Sequence, residues 1–431
     1  MTSPAPVRLA WLDALRGYAA LVVVLFHLSP SVIGTDRHLA IYRHFDAGKY
    51  GVLLFFLVSG YVIPMSLERH GSLRRFWIGR LCRIYPAYLA AIAVVVLLSS
   101  AGWLAWSESM RHQTVTTALA HVTMMSDLVG VRGAVRVFWT LSYEMTFYLV
   151  VSGLFVWRLH RHSAWWAAGL GLTALVFGAG LPNDLLGAGS GARRTTAAIL
   201  VVLVGLSILA YLKDRLVPAA GAAGIALVLL PAVNGHATRE SVVIASWQGI
   251  LLLAIMFAGT VVYRWQHAQI GGREAAFALT VVALSVIGAH WTHLGTAAAL
   301  RLWAANVGAV ALTFLFAYAM RNRTVPSVFT WLGRISYSLY LLHVIVLLAL
   351  PRVVPDLGTR GIVFRATAGV AYLLVALVTA WLAYRMVEQP GQRLGRRIAA
   401  KLEPRPAGAG SLATQRAAPR TGQGENERQS V

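Results

Sequence analysis

The sequence predicts an all-α protein of the membrane, a polytopic transmembrane bundle of about 10–12 helices with both termini in the cytoplasm. Two observations support this fold class. Of the 431 residues, 58% are hydrophobic and 13% are charged, and the mean hydropathy is +0.64, values outside those of soluble globular domains. Apolar runs long enough to cross a bilayer also recur along most of the chain. We therefore expect a multi-pass protein of the cell membrane.

Twelve apolar runs are predicted to be membrane helices, so the best count is twelve. In chain order they span residues 9–28, 50–66, 84–101, 138–157, 164–181, 196–212, 216–233, 242–263, 275–290, 296–320, 332–350 and 362–386. With a cytoplasmic N-terminus, the inward connections are all rich in Arg, Lys or His, as the positive-inside rule requires. These connections are 68–83, 158–163, 213–215, 264–274 and 321–327.

Three segments are predicted from this pattern. The transmembrane domain covers 8–390, a basic juxtamembrane segment covers 391–403, and 404–431 form a cytoplasmic tail whose composition predicts disorder. The formal net charge is +22, but Arg and Lys lie mostly between apolar runs and in the tail, so we predict no nucleic-acid partner. Cys82 is the only cysteine, which excludes a disulfide within the chain.

The first apolar run carries three polar side chains, Asp13, Arg16 and His27, in a region where such groups are costly unless they have a task. His27 follows Arg16 by eleven positions. Along a helix this separation is roughly 16 Å, which is about half the hydrocarbon thickness. One helix therefore offers a cation near one membrane surface and an imidazole far deeper.

Two further stretches have both a structural and a functional interpretation. Ser59 and Gly60, in the second apolar run, permit close approach of another helix, and the alternative is a direct role in a substrate channel. Arg80 and Arg83, ahead of the third run, are three positions apart and share one face of a helix. They either orient the chain in the membrane or grip the phosphates of a cytosolic donor in bidentate fashion.

Two titratable residues lie inside later apolar runs. Glu144 is either a structural counter-ion to an arginine or a group that orients and charge-stabilises a histidine during proton transfer. His343, in an aromatic helix, is interpreted as a satisfied packing histidine. The other histidines lie mostly in loops without the spacing of metal ligands, so no metal site is predicted.

Six motifs occur in order, each beside an apolar run. They are LDALRG at 12–17 followed by His27, FFLVSGY at 55–61, RLCRIYP at 80–86, WTLSYE at 139–144, ISYSLYLLH at 335–343 and VEQP at 387–390. With these motifs the chain resembles the acyltransferase-3 family of integral membrane O-acyltransferases over most of residues 8–390. Two features depart from the family: Ala14 stands where Gly is usual, and the family core usually has ten helices.

The resemblance implies transfer of an acyl group, usually acetyl, from cytosolic acyl-CoA to a hydroxyl of a sugar-containing acceptor. It makes His27 the catalytic histidine, as base or transient acyl carrier, and Glu144 a candidate active-site acid. It also makes Arg16, Arg80 and Arg83 the acyl-CoA contacts. Acyl-CoA is then a co-substrate, and no cofactor is bound permanently. A surface polysaccharide, a lipid-linked glycan and a glycosylated metabolite such as a macrolide would all suit as acceptors.

Two other classes of protein remain as alternatives. The first is a non-catalytic exporter of a glycolipid or small molecule, in which the same buried charges line a conduit; the absence of two-half symmetry in the sequence argues against it. The second is a polytopic sensor or scaffold, which leaves His27 and the paired arginines without a role. Consumption of acyl-CoA distinguishes the enzyme from both alternatives.

Overall fold

The computed structural model describes residues 9–236 and 244–402. Within these ranges the chain is helical, with short turns and 3₁₀ segments between helices and one isolated bridge between Asn183 and Gly235. The all-α fold class is confirmed. The predicted disordered tail, 404–431, lies outside the described residues.

Eighteen α-helices follow one another in the described parts of the chain. They are α1 (Ala10–Ile33), α2 (Thr35–Tyr42), α3 (Ala47–His70), α4 (Leu73–Ser100), α5 (Glu108–His112), α6 (Thr114–Thr123), α7 (Ser126–Val129), α8 (Trp139–Val156), α9 (Ser163–Phe177), α10 (Ser190–Lys213), α11 (Val217–Ala226), α12 (Leu229–Val233), α13 (Ser246–Gln266), α14 (Gly272–Leu294), α15 (Ala297–Ala319), α16 (Ser327–Val353), α17 (Ile362–Ala383) and α18 (Gln389–Leu402). A π-helical turn, Tyr384–Glu388, joins α17 to α18.

Ten spans in the described residues are long and apolar enough to cross a membrane, with α17 and α18 counted as one continuous span. The chain is therefore a multi-pass membrane protein. These spans match ten of the twelve predicted runs. The other two, 138–157 and 216–233, are also helical, but the first half of α8 carries polar side chains, including Glu144, and the second run is broken into α11 and α12. The structure thus gives the lower end of the predicted range.

The helices form an inner group and an outer ring. The spanning window of α13 is 94% buried and those of α3 and α16 are each 72% buried, whereas the other spans are only 17–39% buried. α8 also belongs to the inner group, since nearly all its side chains are buried. Outer helices such as α15 expose large apolar side chains, including Leu312, Leu315 and Phe316. Apolar side chains on the outside suit contact with lipid.

Local sequence fixes where the helices around the site begin and end. Asp46 caps α3 by accepting the backbone N–H of Lys49 at 2.8 Å, and Ser72 caps α4 by accepting that of Arg75 at 3.3 Å. Gly71 ends α3 at φ +62°, a left-handed conformation that glycine adopts without strain. This tight reversal brings the basic start of α4 next to the end of α3.

The closest approach between two inner helices lies where α3 crosses α13. A Cβ atom on Gly60 would lie 1.7 Å from the carbonyl oxygen of Met256, and one on Gly259 would lie 2.0 Å from that of Leu57. The backbones touch because neither glycine has a side chain. Gly60 therefore has the packing role considered for it, whereas its neighbour Ser59 lines a pocket.

Gly60→Ala should lower the free energy of unfolding by about 1–3 kcal/mol, the usual cost of overpacking, because a backbone carbonyl cannot move aside. Gly79→Ala is the matched control: Gly79 is exposed in α4 and has no atom within 4 Å of its Cβ position. Thermal unfolding in detergent measures both variants. Equal midpoints for Gly60→Ala and the wild type would show that the two backbones are not in contact.

Candidate functional site

Helices α1 and α16 run in the same direction and touch at a pair of glycines. A Cβ on Gly17 would lie 2.6 Å from the backbone N of Gly333, and one on Gly333 would lie 2.1 Å from the carbonyl oxygen of Asp13. Ten positions further along each helix stand His27 and His343. Equal spacing on two parallel helices brings the imidazoles together, with ring centroids 5.2 Å apart.

Hydrogen bonds in this histidine pair define which nitrogen carries the proton. Nδ1 of His27 lies 2.8 Å from the carbonyl oxygen of Val23 and 3.4 Å from Nε2 of His343. Nδ1 of His343 lies 2.9 Å and 3.1 Å from the carbonyl oxygens of Tyr340 and Leu339. Because a carbonyl can only accept, both neutral rings are protonated at Nδ1. Nε2 of His343 then accepts from His27, and Nε2 of His27 is left as a base.

The other predicted site residues lie together in a second place, an enclosed pocket between α1, α3, α4, α8 and α16. The pocket is lined by Arg16, Arg80, Arg83 and Glu144, together with Ser59 and aromatic and aliphatic side chains. We name it the arginine pocket. It encloses about 20 Å³, which is enough for one or two water molecules.

Aromatic rings hold two of these guanidiniums in place. Arg16 lies over the ring of Phe55 at 5.4 Å, and Arg80 lies over that of Tyr148 at 5.3 Å. Tyr148 donates its hydroxyl to Glu144 at 2.5 Å. Such cation–π contacts stabilise a desolvated cation without neutralising it. The guanidiniums therefore keep their full charge towards the pocket.

A second carboxylate, which the sequence analysis gave no role, stands behind the pocket. Glu388 is buried, and it accepts from Ser338 at 2.8 Å and from Gln392 at 3.0 Å. It is close enough to Arg83 and Arg16 to attract both. The π-helical turn that ends at Glu388 is the kind of irregularity that often marks a functional site. The VEQP motif was the available signal for this residue.

A wide cleft opens beside the arginine pocket. It has a volume of about 620 Å³ and shares Arg16 and Arg83 with the pocket. Asp13 of α1 also lines it, and Arg69, Tyr263 and His267 complete its polar lining. No motif pointed to these three residues, because they come from the ends of α3 and α13, which meet only in the folded chain. We name this cleft the vestibule.

Charges in the pocket and vestibule do not balance. Among the residues that the structure describes, four guanidiniums line these two spaces and three carboxylates line or adjoin them, an excess of one positive charge; they are Arg16, Arg69, Arg80 and Arg83, against Asp13, Glu144 and Glu388. The Nε atom of Arg16 is buried and has no hydrogen-bond partner among the described residues. A buried donor and an excess positive charge both favour binding of an anion.

A narrow apolar gap leads from the arginine pocket towards His27. The gap shares Phe55 with the pocket, and it is also lined by Val23, whose carbonyl oxygen holds His27, and by Tyr340. The Tyr340 ring stacks on Phe55 at 6.1 Å and lies 6.0 Å from that of His343. Vestibule, pocket, gap and histidine pair thus follow one another along α1.

The structure brings four predicted site residues together and sets one apart. Arg16, Arg80, Arg83 and Glu144 share the arginine pocket, where Glu144 bonds to a tyrosine. His27 lies beyond the gap. The partner of His27 is His343, which the sequence analysis interpreted as a packing residue. The equal spacing of the two histidines from glycines was a signal for their pairing, but it can be read only once α1 and α16 are known to be parallel neighbours.

Comparison with known proteins agrees with this architecture. Acyltransferase MdmB of Streptomyces mycarofaciens is 30% identical over 179 residues, which cover 40% of this chain and 46% of MdmB. Nodulation protein 10 of Rhizobium leguminosarum bv. viciae is 32% identical over 123 residues, 25% of this chain and 34% of that protein. Peptidoglycan O-acetyltransferase OatA of Listeria monocytogenes is 28% identical over 153 residues, 32% of this chain and 23% of OatA. Each match thus spans less than half of the relative.

Fold and site together define an integral membrane protein with a buried cationic pocket next to a histidine pair. A family model for an acyltransferase domain, Acyl_transf_3, matches residues 9–385, which is nearly the whole membrane part. The chain belongs to the acyltransferase-3 family. No solved structure was found to match it.

Proposed function

We propose that this protein is an O-acyltransferase that moves an acyl group, most simply acetyl, from acyl-CoA to a hydroxyl of a sugar-containing acceptor. The observation that carries the proposal is the route along α1, from the cationic vestibule through the arginine pocket and the apolar gap to His27. Its two ends match the two ends of acyl-CoA, a polyanionic nucleotide and a distant thioester. The names of the relatives, an acyltransferase and O-acetyltransferases, support the same chemistry.

The donor's nucleotide end suits the vestibule. The vestibule has a volume of about 620 Å³, which lies in the range of small-molecule sites. Guanidiniums of Arg16, Arg69 and Arg83 can each bind a phosphate through two parallel hydrogen bonds. Donor phosphates would also neutralise the excess positive charge and could satisfy the buried Nε of Arg16. The uncharged pantetheine arm would then enter the apolar gap towards His27.

His27 would act through Nε2. As a base, Nε2 takes the proton of the acceptor hydroxyl while that oxygen bonds to the thioester carbonyl carbon. The carbon–sulfur bond then breaks, and the imidazolium gives the proton to the CoA thiolate. As a nucleophile, Nε2 instead bonds to the thioester carbonyl carbon, and the carbon–sulfur bond breaks to release the CoA thiolate. The acceptor oxygen then displaces the imidazole from the acyl carbon, and the acceptor proton passes to the thiolate. Both routes need a proton on Nδ1, which the bonds to Val23 and His343 favour.

The acceptor is proposed as a class only. The name of one relative specifies peptidoglycan as its substrate, so a glycan is favoured, and a lipid-linked glycan or a glycosylated metabolite such as a macrolide offers the same chemical group. The direct test incubates purified protein with acetyl-labelled acetyl-CoA and chitotetraose, a lipid-linked N-acetylglucosamine or a macrolide glycoside. Label should appear on an acceptor with release of CoA. Transport of these compounds without CoA release would instead favour the exporter.

His27→Ala should abolish transfer and leave the protein folded and inserted, because one imidazole contributes little to the packing of a ten-span bundle. Loss of a general base costs about 10²–10⁴ in rate. CoA release by purified protein measures the effect, with thermal unfolding as the check on folding. A rate above about a tenth of that of the wild type would be too high for loss of the base and would refute this assignment.

His343→Ala should lower kcat by about tenfold, the value of one hydrogen bond to a charged group, because the imidazolium of His27 loses its acceptor. His343→Gln should recover part of this loss, since an amide oxygen can still accept from Nδ1. The KM for acetyl-CoA should be the same in both variants. A packing role predicts a lower unfolding temperature in both and no recovery of kcat by Gln.

Arg80→Lys and Arg83→Lys should weaken acyl-CoA binding by about 1–3 kcal/mol for each lost charge-assisted contact, because Lys keeps the charge but lacks the planar fork. Insertion should be normal, since the positive charge that orients the helices remains. Arg273→Lys is the matched control, an exposed arginine at the start of α14. If both test variants bound acyl-CoA like the control, the two arginines would only orient the chain.

A further inference from the structure

A cluster of aromatic rings lies beside His27, on the side away from the arginine pocket. The ring of Phe26 is edge-on to that of His27, with centroids 5.3 Å apart. It also lies 5.1 Å from the ring of His38 and 6.3 Å from that of Tyr42. We name Phe26, His38 and Tyr42 the aromatic shelf. A Cβ on Gly48 would lie only 2.7 Å from the Phe26 ring, so this ring is seated against the start of α3.

The short helix α2 supplies the outer part of the shelf. The chain turns at Gly34, with φ +93°, and α2 folds back so that His38 and Tyr42, four positions apart, present one face. Their rings are stacked 6.3 Å apart with an interplanar angle of 24°. The ring of His38 is held in place by a 2.6 Å hydrogen bond between its Nδ1 atom and the hydroxyl of Ser29. Tyr42 is 38% exposed, so a molecule outside the bundle can reach the shelf.

Polar groups surround the exposed end of the shelf. Asp46 is only 5% exposed; it caps α3, and its carboxylate lies near the Tyr42 hydroxyl. The pKa of Tyr42 is raised above its usual value, mainly by burial. The Asp46 carboxylate adds to this rise, and the guanidinium of Arg136 opposes it. Arg136 itself is exposed. The shelf thus combines flat apolar faces with the phenol of Tyr42, and a buried carboxylate and an exposed guanidinium lie nearby.

We propose that the aromatic shelf binds a sugar ring of the acceptor and presents its hydroxyl to His27. A pyranose has C–H faces that pack on aromatic rings and a rim of hydroxyls that bond to a few fixed polar groups, which is the combination found here. The donor route approaches His27 from residues 16–23 of α1, and the shelf begins at Phe26. Donor and acceptor would therefore reach one imidazole from opposite directions.

This inference rests on the proposed function and adds the place of its second substrate. Transfer needs the acceptor oxygen within reach of both Nε2 and the thioester carbon. An acceptor held on the shelf meets that condition without passing through the arginine pocket. It also gives a role to the short, largely exposed helix α2, which directly follows α1 after the turn at Gly34.

The test compares Tyr42→Ala with Ile41→Ala, a substitution of the adjacent, 56% exposed residue of the same helix. Chitotetraose, a lipid-linked N-acetylglucosamine and a macrolide glycoside serve as acceptor probes. For the probe that the wild type acetylates fastest, Tyr42→Ala should raise the acceptor KM about tenfold, with less than about a twofold change in the KM for acetyl-CoA. Tyr42→Phe keeps the ring and should retain most of the affinity.

Each outcome has one meaning. If the wild type acetylates none of the probes, the proposed function fails and this inference fails with it. If the wild type is active but Tyr42→Ala matches Ile41→Ala in acceptor KM, the shelf is not the acceptor site and the proposed function stands. Equal rises in the KM of both substrates would mean a general disturbance of the fold and would also overturn the inference. Loss of affinity in Tyr42→Phe as large as in Tyr42→Ala would exclude packing on the ring.

Discussion

Charge buried at membrane depth has to be compensated inside the protein, and this constraint organises the bundle. Arg16, Arg80 and Arg83 come from α1 and α4, and the carboxylates near them come from α8 and the π-helical turn. Removing either carboxylate would take away a negative charge that attracts these buried guanidiniums and would destabilise the bundle. Attraction between these charges therefore links helices from the beginning, middle and end of the membrane domain. Compensation is incomplete, and the remaining positive charge is what makes the pocket suited to an anion.

A second constraint fixes the distance between the Arg16 guanidinium and the His27 imidazole. Both stand on α1, so their separation follows from helix geometry and does not depend on a loop. The glycine contact between α1 and α16 then holds His343 against His27. An acyl donor long enough to link the two sites would have its reactive carbon placed by rigid elements at each end. Rigid placement of this kind is a large contribution that a protein can make to a transfer reaction.

Local features of the site were visible in the sequence, and contacts between distant segments were not. The apolar runs predicted the helices, and the spacing of Arg80 and Arg83 placed both on one face, where the structure has them lining the same pocket. The pairing of His27 with His343 joins residues 316 positions apart and depends on which helices are neighbours. Arg69 and His267 line one cleft for the same reason, and neither belongs to a motif. The sequence left Glu144 as either a counter-ion or a histidine partner, and the packing of α8 puts it in the same pocket as three arginines, with a hydrogen bond from Tyr148.

The narrowness of the route has a chemical consequence. The vestibule is wide, but the arginine pocket and the apolar gap hold only about 20 Å³ and 10 Å³, so a pantetheine arm can pass only if side chains such as Phe55 and Tyr340 move. These rings fill the route on the donor side of His27 and keep water of the vestibule away from the imidazole on that side. Water is the simplest competitor for a thioester, so closure of the donor side removes one path by which water could reach a bound donor. The same aromatic contacts that pack the core thus limit hydrolysis of the proposed donor, while the shelf side stays open to the acceptor.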